Sequence, residues 1–231
     1  MEGKNIILGS NVQIGDNVVI HDDTIIGDNV RIDDNTVLGK RPMKSVNSAV
    51  TKEKELDPLV IGDGVLIGAN SVIYRGAKIN DDVLVADLAS IREDVSIGEK
   101  TIIGRGASIE NECSIGKKCK IETNAYITAY SKLEDYVFIG PCVSTSNDNY
   151  VGRTKERFKH FKGVEVRKGA RIGLNSTILP GIVINEDALV AAGSTVTKDI
   201  PKKEIWMGSP AKYFKDVSYE QLLINQEFYE E

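Results

Sequence analysis

Along most of this chain a branched aliphatic residue returns at every sixth position. Counting from Leu8 gives Ile14, Ile20, Ile26, Ile32 and Leu38; counting from Ile61 runs unbroken to Ile139; counting from Val166 ends at Val196. All 26 positions reached in this way are Ile, Leu or Val. Four places later in each hexad stands a small or β-branched residue, such as Val18, Thr24, Ala77, Cys113, Cys119 or Ser176. Gly, Asn and Asp often fill the places between, as in "IGDNVV" and "IDDNTV". A helix cannot keep such a stripe aligned, because six residues turn it through about 600°, some 240° past a full turn. Short β-strands with a turn in every hexad can. The branched residue points inward, the small one fits near the corner, and Gly, Asn and Asp accept the turn backbone. The pattern predicts a solenoid of short strands.

The metre breaks twice, at residues 44–60 ("KSVNSAVTKEKELDPLV") and at residues 145–165. After Val196, Ser218 and Gln221 stand at capping-box spacing, with Val217 and Leu222 placed as a hydrophobic staple. These predict a short helix over 219–229 that covers the open end of the solenoid. The expected organisation is one solenoid domain over 1–212 carrying both insertions, then a C-terminal capping helix within 213–231.

Composition sets limits on partners. The chain is 41% hydrophobic and 27% charged, with a net charge of −5. That acidic balance argues against nucleic acid as a partner. No stretch approaches the roughly 18 apolar residues of a membrane span. The opening "MEGKNIILGSN" lacks the basic head and apolar run of a secretory signal. Three cysteines at repeat positions do not suggest a disulfide framework, and a cytoplasmic location is expected. Charge is unevenly spread. Residues 145–171 hold eight Lys and Arg against Asp148, Glu156 and Glu165, a local sum of +5. Such a run is ordinarily a solvated face; the alternative is a field that gathers polyanions.

The hexads, and "GSPAK" at Gly208–Lys212, resemble the hexapeptide-repeat acyltransferases. The resemblance implies an all-β fold, a left-handed parallel β-helix of eight to nine coils with two loop insertions. It also implies a homotrimer with active sites between subunits and acyl-CoA lying along the coils. The stretch "DYVFIGPCVSTSND" is similar to the "DDVFIGPxVxFTND" of N-acetyltransferases that act on nucleotide-linked amino sugars. There Asn147 and Asp148 match the pair bordering the reacting amine. "IGLNSTILPGIVINEDALVAAGSTVTKDIP" resembles the groove that binds the coenzyme, where Leu174 and Ala192 would meet the pantetheine arm one coil apart. Lys198 and Lys212 would reach its adenosine phosphates, and Tyr150 and Arg153 would meet the sugar nucleotide. The resemblance implies acetyl-CoA as co-substrate, no metal, and a place in surface polysaccharide or glycan synthesis.

Many such relatives carry a histidine at a coil turn as general base. This chain has only His21 and His160, and the turns Glu110-Asn111-Glu112 and Thr128-Ala129-Tyr130 hold no imidazole. His21 reads as surface structure in the first coils. His160 is either a solvated loop residue or a base and substrate ligand. The catalytic candidates are therefore Asp148, Asn147 and His160. A sugar hydroxyl needs a strong base, whereas an amine near the α-amino value of about 8 is partly neutral at pH 7. Positioning and backbone N–H groups facing the oxyanion supply much of the remainder. Weak base equipment thus favours N-acylation. O-acylation of a sugar or amino acid, and a non-catalytic scaffold, stand as alternatives. Two histidines cannot make the three-histidine zinc site of the carbonic-anhydrase-like branch. Cys113 and Cys119 read as corner packing, and Cys142 lies beside Pro141 with no ligand partner in sequence. Tyr126, Tyr130, Tyr136, Tyr150, Phe158 and Phe161 either stack on a nucleotide or sugar or pack between subunits, the latter favoured for Tyr126 and Tyr136. Trp206 should cover the last coil.

Overall fold

The hexads close into a triangular prism. In the computed structural model, which describes residues 3–51 and 54–229, strands of mostly two residues recur once per hexad. They form three parallel sheets, the faces of the prism, each crossed by nine coils. Face one begins with Ile7–Leu8, face two with Gln13–Ile14 and face three with Val19–Ile20. Strands in one face pair 18 residues apart, as in Lys78 with Ser96 and Ile79 with Ile97. The architecture is the left-handed parallel β-helix, with nine coils rising about 4.8 Å each to roughly 40 Å.

Each place in the hexad has a physical task. The branched residues stack along the prism axis, and all of the counted positions are buried except Leu8 and Ile14 in the first coil. The following Gly lets one coil sit on the next. A Cβ on Gly98 would lie 2.5 Å from the backbone of Gly116 and Lys117. Aspartates form vertical ladders, Asp28 accepting from Ser10 N–H at 2.6 Å and Asp63 from Asp28 N–H at 2.7 Å. Asn takes the left-handed corner, for instance Asn11 at φ 58° and Asn29 at φ 57°.

The corners, not the faces, carry the irregular chain. We call the turns from face one to two, two to three, and three to one the first, second and third corners. Both insertions leave at the third corner, after Lys40 and after Thr145. The second insertion is shorter than its sequence suggests. Ser144–Thr145 is still a strand, because the buried Thr145 keeps the inward place. Its Oγ1 accepts from Thr128 N–H at 2.8 Å and donates to the Tyr126 carbonyl at 3.2 Å. At the far side Glu165–Val166 is again a strand. Val60–Ile61 likewise belongs to face one, not to the first insertion.

The C-terminal segment departs from expectation. An antiparallel hairpin, Glu204–Gly208 with Ala211–Asp216, extends face two, and Trp206 covers the ninth coil as expected, its carbonyl accepting from Ala191 N–H at 2.8 Å. Residues 219–229 form three 3-10 turns, Tyr219–Gln221, Leu223–Asn225 and Glu227–Tyr229, instead of a helix. The Ser218 side chain caps nothing, and Leu222 is extended at ψ 142°. That break lets the adjacent Leu222 and Leu223 both be buried. Nor does the segment cover the open end. It runs back along the first corner, bonding Val217 N–H to the Lys203 carbonyl, Leu223 N–H to Asp187, and the Tyr229 carbonyl to the Tyr136 hydroxyl. Tyr136 is thereby used within the chain. Among the described residues no helix is long and apolar enough to cross a membrane.

Two outcomes test this core. Ile109→Ala, at a position with no exposure, should cost about 2–5 kcal/mol of unfolding free energy in denaturant titration, whereas Leu8→Ala in the open first coil should cost less than about 1 kcal/mol. The thiols of Cys113 and Cys119 are pushed by burial from about 9 to about 12 and donate to the carbonyls of Thr128 and Glu134 at 3.1 Å. Cys142 is exposed. A thiol reagent at pH 8 should modify Cys142 alone until the protein unfolds. Because the folded values lie above the unfolded one, these thiols weaken the fold as pH rises from about 9 towards 12, and have no such effect below 9.

Candidate active site at two corners of the prism

The second insertion is organised around Arg157 and Asp148. Asp148 accepts backbone N–H bonds from Tyr150 and Gly152, both at 2.9 Å, and lies 3.5 Å from Arg157 Nε. Partial burial works to raise the Asp148 pKa, but the N–H donors and Arg157 outweigh it and hold the carboxyl below its usual range. Arg157 in turn packs over Phe158 and Phe161, each ring centre 5.3 Å away, and the two rings meet edge-on at 5.9 Å. Those aromatics therefore build the loop. His160 stacks on Tyr150 at 5.9 Å, and its Nε2 lies 3.1 Å from Glu156. The Asn147 carbonyl accepts from Lys162 N–H, and the Lys162 carbonyl accepts from Gly181 N–H, which ties the loop to the eighth coil.

Asn147, Asp148, Tyr150, Arg153 and His160 thus share one loop on the third corner. Its charge is partly cancelled, since Arg157, Lys159 and Arg167 face Asp148, Glu156 and Glu134 with Glu165. Arg153, Lys155 and Lys162 are exposed and make no ion pair among the described residues. These three hold the field directed outward. His21 shares the third corner but follows the first coil, six coils or about 30 Å away.

The expected coenzyme residues lie elsewhere. Leu174 and Ala192 stack on the second corner, both exposed, with Gly193 N–H donating to the Leu174 carbonyl at 2.9 Å. Earlier in this column the matching N–H groups are occupied, Asp16 by Asp34 at 2.7 Å and Ala69 by Asp87 at 2.9 Å. After Asp87 the column holds no aspartate and continues Arg105, Thr123, Pro141, Leu174 and Ala192. Neither the Leu174 nor the Ala192 N–H has an acceptor among the described residues. Two backbone donors one coil apart therefore face outward. The lapse of the hexad aspartate was the signal for this edge. Pro141 precedes Leu174 in the column, its carbonyl accepting from Asn175 N–H, and Cys142 lies one place along the same corner, its N–H bonded to the Thr123 carbonyl. Lys212 pairs with Met207 in the hairpin whose tip reaches this corner through Gly208 N–H to Ser194 at 3.1 Å. Lys198 instead follows Val196 onto the third corner. Within one chain, face three separates the two groups.

Sequence reasoning passed over the third-corner turns because they lack histidine. The structure places a carboxyl cluster there. Arg92 bonds Glu93 at 2.9 Å and lies 3.5 Å from Glu110. Burial raises the Glu110 pKa, Arg92 opposes this, and Glu93 adds to it. Tyr126 stands on the adjacent strand, and burial next to Glu110 raises its hydroxyl pKa. The first insertion closes the other side of this strip: Lys54 pairs with Asp94 at 2.6 Å, and Thr51 lies 3.4 Å from Arg92. Among the described residues no three His, Cys, Asp or Glu side chains are placed to hold a metal ion.

Known proteins share this design. A dTDP-3-amino-3,6-dideoxy-alpha-D-galactopyranose 3-N-acetyltransferase of Aneurinibacillus thermoaerophilus is 53% identical over 47 residues, 20% of this chain and 24% of that protein. A mitochondrial gamma carbonic anhydrase 2 of Arabidopsis thaliana is 38% identical over 63 residues, 26% of this chain and 23% of that one. The chain spans about a quarter of the length of these curated relatives. The solved UDP-N-acetylglucosamine acyltransferase from Campylobacter jejuni shares the fold, with a TM-score of 0.57 at 16% identity over 94% of this chain and 75% of its own. The family model "Bacterial transferase hexapeptide (six repeats)" matches residues 5–40, and "Hexapeptide repeat of succinyl-transferase" matches 58–86, 94–129 and 164–198. With a repeat that accounts for more than half of its residues and for its faces, corners and core, the chain belongs to the hexapeptide-repeat transferase family.

Proposed function

We propose that the protein transfers an acetyl group from acetyl-CoA to the amine of a nucleotide-linked amino sugar. The observation that carries this reading is the pair of unoccupied backbone donors at Leu174 and Ala192, set one coil apart on an exposed edge. A pantetheine arm lying along the prism presents amide carbonyls to such an edge. The match to an amino-sugar N-acetyltransferase supports the acceptor.

The two halves of the site belong to different corners, so a neighbouring copy completes it. In a cyclic trimer, the second corner of one subunit meets the third corner of the next. The loop with Arg153, Lys155 and Lys162 then faces the phosphates of the acceptor. The amine nitrogen attacks the thioester carbonyl, the N–C bond forms, and the C–S bond breaks. The electron pair leaves with sulfur, and the surplus amine proton passes by way of Asp148 and water to that thiolate, giving the thiol of coenzyme A. Asp148 is anionic through the working pH range, so its first task is to accept an N–H bond and orient the amine. His160, bonded to Glu156 on an exposed surface, contributes less to this step than Asp148.

Three results test the reading. Asp148→Asn, which preserves a hydrogen-bond acceptor for the loop, should lower kcat/KM about 10²–10⁴-fold in a coenzyme-release assay with amino-sugar nucleotides; unchanged activity would remove Asp148 from the chemistry. Coenzyme A should slow alkylation of Cys142 on the same corner, and an unaltered rate counts against the second-corner groove. Mixing Asp148→Asn with Ala192→Trp chains, each inactive alone, should restore about a quarter of the wild-type rate through hybrid trimers; no recovery would place both halves in one chain.

A further inference from the structure

The first corner holds a cavity that the acyl-transfer reading leaves unused. Its volume is about 630 Å³, within the roughly 300–1,000 Å³ typical of small-molecule sites. Face two and the first-corner column make its floor, and the C-terminal 3-10 turns roof it through Leu223 and Gln226. Leu223 is fixed there by its N–H bond to Asp187 at 2.9 Å and by close packing over Gly169, whose absent Cβ would lie 3.1 Å from the leucine Cβ. The roof is thus built into the fold.

The lining has two characters. Lys100 and Lys118 stack in the corner column, and Lys120 stands beside them on face two. None of these lysines makes an ion pair among the described residues; Lys118 meets only the Tyr136 ring, at 5.5 Å. On face two the register runs Lys120, Phe138, Arg171 across three neighbouring strands. An aromatic ring therefore separates two cations about 10 Å apart. Arg171 Nη2 is buried and donates to no acceptor among the described residues. Such a group costs free energy unless something else accepts from it. Against these four cations stand Asp187, already bonded to the roof, and the exposed Glu220. The arrangement is a cationic end, an apolar middle and a single buried donor.

We propose that this cavity binds a nucleoside diphosphate: the lysines hold the two phosphates, Phe138 and Leu223 enclose the base, and Arg171 donates to a base carbonyl oxygen. A lone phosphate would leave the apolar middle and the far guanidinium unused. The site is separate from the second and third corners, so it does not depend on the acetyl-transfer reading.

Uridine diphosphate is the probe, and lysine acetylation by an N-hydroxysuccinimide ester of the full-length protein, mapped by mass spectrometry, is the readout. Uridine diphosphate should protect Lys118 and Lys120, and pyrophosphate should need about tenfold higher concentration, some 1.4 kcal/mol, for the same protection. Arg171→Gln should weaken protection by uridine diphosphate about tenfold and leave protection by pyrophosphate unchanged. No protection of Lys118 and Lys120 at millimolar uridine diphosphate would overturn the proposal, as would equal protection by pyrophosphate. The wild-type comparison stands by itself if the variant fails to fold. Nucleotide bound at the acceptor site reads out separately, as protection of Lys155 and Lys162 in the second insertion.

Discussion

Everything in this molecule depends on the 18-residue vertical register. A backbone N–H in one coil meets a carbonyl of the next, as Lys120 meets Val137 at 2.9 Å, and the branched residues come into line above one another. The register is discrete: a slip of one residue would turn the aliphatic stripe outward and the polar corner residues inward. The prism therefore tolerates no length change within a face. It tolerates changes at a corner, where the paired residues simply lie 35 or 33 apart instead of 18. That is the physical reason why each departure from the repeat occurs between strands.

The three corners consequently differ in use while the faces remain alike. The third carries both insertions, the second presents unpaired backbone donors, and the first holds the C-terminal segment. The aspartate ladder marks the difference. On the second corner Asp34 and Asp87 accept from the N–H groups of Asp16 and Ala69, whereas the N–H groups of Leu174 and Ala192 have no acceptor among the described residues.

Charge follows the same logic. The second insertion is rich in cations, but Arg157 is committed to Asp148 and to two phenylalanine rings, and Lys159 to Glu156. Arg153, Lys155 and Lys162, exposed and without ion pairs among the described residues, hold the outward field. Asp148 is likewise first an anchor, accepting two backbone N–H bonds within its own loop. Its low pKa is a consequence of that anchoring and of the nearby Arg157.

The sequence alone determined the repeat, the strand period, the nearly complete list of inward residues and the stacking of Leu174 on Ala192, because each follows from a spacing that only one backbone geometry satisfies. It also located the loop bearing Asn147, Asp148 and His160. Only the tertiary structure decided which corner each irregular segment occupies, since hexad counting carries no information on where a side chain outside the count will pack. The C-terminal segment shows this most clearly. Its Ser218–Gln221 spacing signals a helix, yet burying Leu222 and Leu223 side by side against the first corner favours three 3-10 turns. The 18-residue spacing also stacks Arg92 and Glu110, but that Arg92 turns its guanidinium to Glu93 and Glu110, and that the first insertion closes over them, was decided by side-chain packing outside the count.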